Sequence, residues 1–207
     1  MMETKEIRSF DFEVRAEQSE ERGNFVEGRA IVYGQTTNLG WYDETIAPGA
    51  LKDTDLRDVR LLVNHNTDMI PLARSRNNNA NSTMQLVVDD EGMNIRANLD
   101  TENNVDAKAL YSAAERGDIS GMSFMFVVDK DSWDDLESDH PTRTITGIKR
   151  VLEVSAVTFP AYSQTSLEAR GLADALDSAK ASLESAKAKA REIERRKQKI
   201  RILTEVQ

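Results

Sequence analysis

"TRTITGIKRVLEVSAVTFP", residues 142–160, is the stretch on which the fold turns. It is dense in Thr, Ile and Val, residues that suit a pleated, half-buried surface. It reads as two extended strands, the second ended by Pro160, whose missing N–H cannot serve a ladder. One residue breaks the final apolar run. Glu153 places a carboxylate among leucine, valine and alanine, and a charge buried there requires a partner.

Working outward, "ISGMSFMFVVD" (119–129) reads as another strand, followed by an acidic loop, "KDSWDDLESDHP" (130–141). Residues two apart on a strand share a face, so Ser123 goes with Gly121 and Met125, and Ser120 with Met122. "TENNVDAKALYSAAERGD" (101–118) carries Val105, Ala109, Leu110 and Ala113 at helical spacing, with Gly117 as a stop. "STMQLVVDDEGMNIRANL" (82–99) is two strand-like runs about "DDEG", a hairpin pattern. "RSRNNNANS" (74–82) is a polar tip, "VRLLV" (59–63) a short buried strand, and "GNFVEGRAIVY" (23–33) a longer one. The Gly-, Thr-, Asn- and Pro-rich "GQTTNLGWYDETIAPGAL" (34–51) reads as mostly loop. Residues 8–160 are therefore expected to be mainly β with one internal helix.

After Ser163 the character changes. Leu172, Leu176, Ala179, Leu183, Ala186, Ala190, Ile193, Lys197 and Ile200 alternate in steps of four and three, an a/d seam over four heptads. The pattern predicts a long helix packed on the β domain or on a second chain; a solvated amphipathic tail is the bland alternative. Charge divides at about the same place. Residues 171–207 hold nine Lys/Arg against six Asp/Glu, a net of +3, whereas residues 1–170 hold eighteen against thirty, a net of −12.

The overall charge of −9 argues against a general nucleic-acid binder, which needs a cationic face. No apolar run approaches eighteen residues, so no membrane span is expected. The N-terminus, charged from residue 3 and without an apolar h-region, does not read as a signal peptide. The absence of cysteine excludes disulfides, thiolate nucleophiles and Cys-ligated zinc. No phosphate loop, dinucleotide fingerprint or H-E-x-x-H spacing is present, so neither a cofactor nor a metal is expected.

That leaves a short inventory. His140 lies in the acidic loop and reads as a solvated surface histidine; the carboxylates of Asp134, Asp135, Glu137 and Asp139 lack the Gly-punctuated spacing of a calcium loop. His65, in "RLLVNHNTDMIPLARS" (60–75), ends a strand, where a scaffold can fix its ring. A weak serine nucleophile needs such a base, itself oriented by a third group. Ser123 and Ser120 are the candidate nucleophiles, and Glu153 is the candidate third group. Each residue alone also fits a structural role.

The order of these motifs resembles the prohead (capsid-maturation) serine proteases of tailed bacteriophages, distant relatives of herpesvirus assemblin. The similar segments are "VEGRAIVYGQTTNLGWYDETIAPGAL", "LLVNHNTDMIPLARS", "GDISGMSFMF" and "LEVSAVTFPAY", spread over roughly residues 8–165. The resemblance implies a small closed or partly closed β-barrel packed by helices, an α+β and mainly β fold. It also implies a Ser–His–Glu triad of Ser123, His65 and Glu153, with Ser120 as the weaker alternative. The domains would be a protease-like unit at 1–165 and a scaffold-like or targeting helix at 166–207. The implied substrates are the scaffolding segment of the major capsid protein, scaffold and the chain itself, cut inside the immature capsid in the infected cell. The helix is expected to support self-association. Met125 departs from the family pattern, which often has Gly two residues after the serine, and leaves the oxyanion donors unassigned. A non-enzymatic capsid-assembly protein that keeps a protease-like domain is the alternative.

Overall fold

In the computed structural model, which describes residues 4–10, 14–19, 23–158 and 166–205, the opening stretch is one strand rather than two. β11 (Thr142–Val157) pairs along its length with β10 (Gly121–Asp134), and register shifts between Met125 and Asp131 let the long hairpin bend. β10 runs five residues past the expected strand end at Asp129, into the segment read as acidic loop. β1 (Glu6–Phe10) pairs with the other edge of β10, antiparallel. On its second edge β11 takes two parallel partners, β5 (Asp43–Ile46) near its start and β6 (Asp58–Val63) near its end. β4 (Thr37–Asn38) extends β5, and β7 (Ala73–Arg76) extends β6.

The second sheet joins two antiparallel hairpins, β2 (Arg15–Ser19) with β3 (Gly23–Val32) and β8 (Met84–Asp89) with β9 (Gly92–Asn98), through a β3–β9 pairing, in the order β2-β3-β9-β8. The predicted hairpin over 82–99 is β8 and β9. Gly92 cannot be replaced there, because its φ is +145° and a Cβ would lie 1.9 Å from the Ile31 carbonyl oxygen. Among the described residues the strands form a seven-stranded and a four-stranded sheet; their pairing closes no barrel. The protein is thus mainly β with two helices. One core joins the sheets through Ile31, Leu61, Met84, Met93, Met122, Phe124, Phe126 and Ile145, all fully buried.

α1 (Val105–Glu115) is capped by Asn104, whose side chain accepts from the N–H groups of Asp106 and Ala107, and Gly117 follows its end at φ +75°. Its buried stripe is Ala107, Leu110 and Ala114. Of the four apolar positions at helical spacing, Leu110 is buried and Ala113 packs partly buried on the core, whereas Val105 and Ala109 face solvent.

α2 (Ser166–Glu205) is the predicted long helix, about 60 Å at 1.5 Å per residue. Its seam is used unevenly. Ala179 and Leu183 are buried against Tyr42 and Trp133, flanked by Leu39, Trp41, Leu136, Leu176 and Ala186. From Ala188 to Arg201 every residue is exposed, Ile193 and Ile200 included. The side chain of Leu172 lies outside the described residues, as do Pro160 and the domain boundary expected at 165/166.

Candidate active site

β6 delivers His65. The strand ends at Val63, after which Asn64 and His65 both adopt left-handed conformations, φ 48° and 54°. Asparagine tolerates that region; histidine does so less readily and must be held. Asn64 is clamped to Thr158, accepting from its N–H at 3.0 Å and donating to its hydroxyl at 3.1 Å. The backbone N–H of His65 donates to Ser155 Oγ at 3.1 Å. The left-handed pair Asn64–His65 is thus fixed against the end of β11.

β10 and β11 deliver the rest. Ser123 and Ser155 are directly opposite in the antiparallel register, and Met125 is opposite Glu153. Period-two geometry puts Ser123, Ser155 and Glu153 on one face. His65 bridges them: its Nε2 is 2.6 Å from Ser123 Oγ and its Nδ1 is 2.6 Å from Glu153 Oε1. The second carboxylate oxygen accepts from Ser155 Oγ at 2.6 Å. Ser155 therefore touches both the carboxylate and the histidine backbone. Ser123, His65 and Ser155 are fully buried and Glu153 nearly so.

Of the residues singled out in the sequence, three converge: Ser123, His65 and Glu153. Ser120 is exposed just ahead of β10 and is not among the hydrogen-bond partners of His65. His140 sits apart, its Nε2 3.0 Å from Asp43 Oδ1 and 3.2 Å from Asn38 Nδ2. That hydrogen bond from His140 holds the Asp43 carboxyl below its ordinary pKa. Met125 lies on the nucleophile's face, opposite Ile7 of β1 and Glu153 of β11. Ser155 was not recognised from sequence, although its spacing of two from Glu153 put both on one strand face.

The N-terminal strand β1 was also missed. Its Glu6 and Arg8 alternate with Ile7 and Ser9, and it is the charged pair that is buried. Arg8 Nη2 bonds Glu6 Oε2 at 2.7 Å and Glu44 Oε2 at 2.8 Å. Arg143 Nη1 bonds Glu6 and Glu44 at 3.0 Å each, and its Nε bonds Asp131 at 2.7 Å. Burial opposes both guanidinium charges, but Glu44 and Glu6 around Arg8, and Glu6, Glu44 and Asp131 around Arg143, hold both pKa values above the ordinary arginine range. Asp131 also accepts from Ser182 Oγ at 2.8 Å, which ties α2 to this cluster. Beside it the Tyr42 hydroxyl is buried without a hydrogen-bond partner among the described residues, and burial pushes its pKa up to about 12.

The scaffold is mainly β and carries a buried serine, histidine and carboxylate in one hydrogen-bonded line, the groups that serine-nucleophile chemistry uses. The sequence profile of the caudovirus prohead serine proteases matches residues 10–178, and the chain belongs to that family. Among curated relatives, the prohead protease of Enterobacteria phage HK97 is 29% identical over 181 residues, covering 86% of this chain and 73% of that protein. Among solved structures, the bacteriophage T4 capsid assembly protease is similar over 74% of this chain and 97% of that one, at 10% identity and a TM-score of 0.40.

Proposed function

We propose that the chain is a serine endopeptidase of capsid maturation, with Ser123 as nucleophile, His65 as general base and acid, and Glu153 as the group that orients the imidazole. The carrying observation is the unbroken line from Ser123 Oγ through both ring nitrogens to Glu153, with both links at 2.6 Å. In the forward step Ser123 Oγ bonds to the scissile carbonyl carbon and its proton passes to His65 Nε2. Glu153 accepts the Nδ1–H bond and stabilises the imidazolium that forms. Collapse of the tetrahedral intermediate breaks the C–N bond, and the amine leaves with the proton from Nε2. A water molecule then repeats the cycle on the acyl-serine. Ser155 fixes the second oxygen of Glu153, so the carboxylate cannot rotate away from the ring.

Family membership supports a capsid-protein substrate. The reading places the protease unit at residues 1–165, the helix at 166–207, and the reaction inside the immature capsid, where high local concentration compensates for weak substrate affinity. The targets would be the scaffolding segment of the major capsid protein, scaffold and the chain itself, and the solvent-exposed distal half of α2 is the surface available for self-association. The test is co-expression of the chain with its cognate capsid protein, followed by mass spectrometry. A fixed segment of the capsid protein should disappear with the native chain and persist with Ser123→Ala, whose thermal unfolding should match the native chain. Normal trimming by that variant would refute the assignment. The full burial of Ser123 favours a second reading, an assembly protein that no longer cleaves; inertness of Ser123 to a fluorophosphonate in every form of the chain would support it.

A further inference from the structure

Part of what covers Ser123 is the chain's own first strand. β10 offers two edges; β11 takes one, and β1 lies along the other, with Ser9 directly opposite Ser123. The nucleophile's oxygen is 2.8 Å from the Arg8 carbonyl oxygen and 2.9 Å from Ser9 Oγ. One backbone carbonyl and one side-chain hydroxyl of β1 thus lie directly against the nucleophile's oxygen.

We propose that the edge of β10 over residues 122–126 is the docking surface for an extended segment of the polypeptide substrate, and that β1 occupies that surface in the free chain and keeps it latent. This rests on the protease reading above and adds how substrate is received and why the free chain is silent. An antiparallel strand beside β10 satisfies the same backbone donors and acceptors whichever chain supplies it, which is the basis of recognition by strand addition.

Counting protons supports the latency. A serine hydroxyl carries one proton, and a carbonyl can only accept. Ser123 Oγ faces two acceptors, the Arg8 carbonyl at 2.8 Å and His65 Nε2 at 2.6 Å, while Ser9 Oγ donates to it. While β1 is in place, its carbonyl thus competes with the imidazole for the single proton of the nucleophile. Once β1 leaves, His65 is the remaining acceptor of that proton. The backbone N–H groups along this edge of β10, now engaged with β1, become free in the same event.

The hold on β1 is polar and narrow. The strand is five residues long, stands at the end of its sheet, and is anchored through Glu6 and Arg8 to Glu44 and Arg143. α2 runs beside it and shares the ion cluster through Ser182 and Asp131. An incoming strand must break those ion pairs, after which Arg143 still keeps Glu44 and Asp131.

The chain has no cysteine, so a designed pair reports on β1 alone. Ile7 and Met125 are opposite in the register, and Ile7→Cys with Met125→Cys should form one cross-strand disulfide. Labelling of Ser123 by a fluorophosphonate should be at least tenfold slower in the oxidised than in the reduced form. A second variant, Glu6→Gln with Arg8→Gln, loosens β1 without a bond and should label at least tenfold faster than the native chain while remaining folded by circular dichroism. Equal labelling of oxidised and reduced forms overturns the docking proposal and leaves the protease reading standing. So does a folded double-Gln variant that labels no faster than the native chain. No labelling of any form, the reduced and loosened ones included, overturns both.

Discussion

Two buried polar clusters share the β10–β11 hairpin, and they obey opposite rules. In the ion cluster two guanidinium groups meet three carboxylates, every contact is charge-assisted, and no proton has anywhere to go, since arginine keeps its charge at any physiological pH. In the Ser123–His65–Glu153 cluster one carboxylate is followed by an imidazole and a hydroxyl, a line along which a proton can be handed from one group to the next. Both clusters are buried and both are satisfied by short contacts. Only the second can change state, and that is what separates a structural network from a reactive one.

The sharpest way to break this comparison is Glu153→Gln. The amide favours the wrong imidazole tautomer, and turnover should drop by about 10³- to 10⁴-fold, as when the carboxylate of a serine-protease triad is amidated. Steady-state cleavage of a capsid-derived peptide by a β1-loosened chain would check it; a loss under tenfold would remove Glu153 from the mechanism. Arg143→Met comes next and acts on the other side. It leaves Glu6 and Glu44 to share Arg8 and Asp131 without a guanidinium, and should cost about 3–5 kcal/mol, read as a lower urea midpoint. An unchanged midpoint would show that the ion cluster is idle.

Ser155→Ala should lie between the two clusters in character. It removes one bond to Glu153 and one to the His65 backbone, and turnover should fall about tenfold, for about 1–2 kcal/mol. The reaction's pH profile should shift with it, a change that simple destabilisation would not produce. The smallest effect at neutral pH is Tyr42→Phe. The buried hydroxyl has no partner among the described residues, so its loss should change stability by less than ~1 kcal/mol. Because the folded pKa of Tyr42 is raised from 10.0 to about 12, its contribution is complete below pH 10 and lost as pH rises toward 12. Denaturation of both forms across that window should show a decline in the native chain that the Phe variant lacks.

The same contrast explains what the sequence made legible. Glu153 stood out because a carboxylate inside an apolar run breaks a pattern, and His65 because two asparagines flank it at a strand end. Ser123 was visible by parity with Met125. Ser155 was hidden, since a serine in a strand breaks nothing. β1 and the far end of β10 were hidden for a physical reason: Glu6, Arg8, Asp131 and Arg143 are buried through mutual neutralisation, so the buried face shows charge where hydrophobic periodicity was sought. The helix α1 was legible from its spacing, although two of its four apolar positions, Val105 and Ala109, face solvent.

The parallel seating of β6 on β11 has a consequence for the order of assembly. Ser123 and Glu153 sit on consecutive strands joined by a short connection, so one local hairpin brings them together early. His65 reaches them only when Arg60–Val63 pairs with Glu153–Ala156, a contact between distant parts of the chain and therefore slow to form. A nascent or half-folded chain thus carries its serine and its acid but no base. In a refolding time course, reactivity should appear with the protection of β6 and not with that of the hairpin.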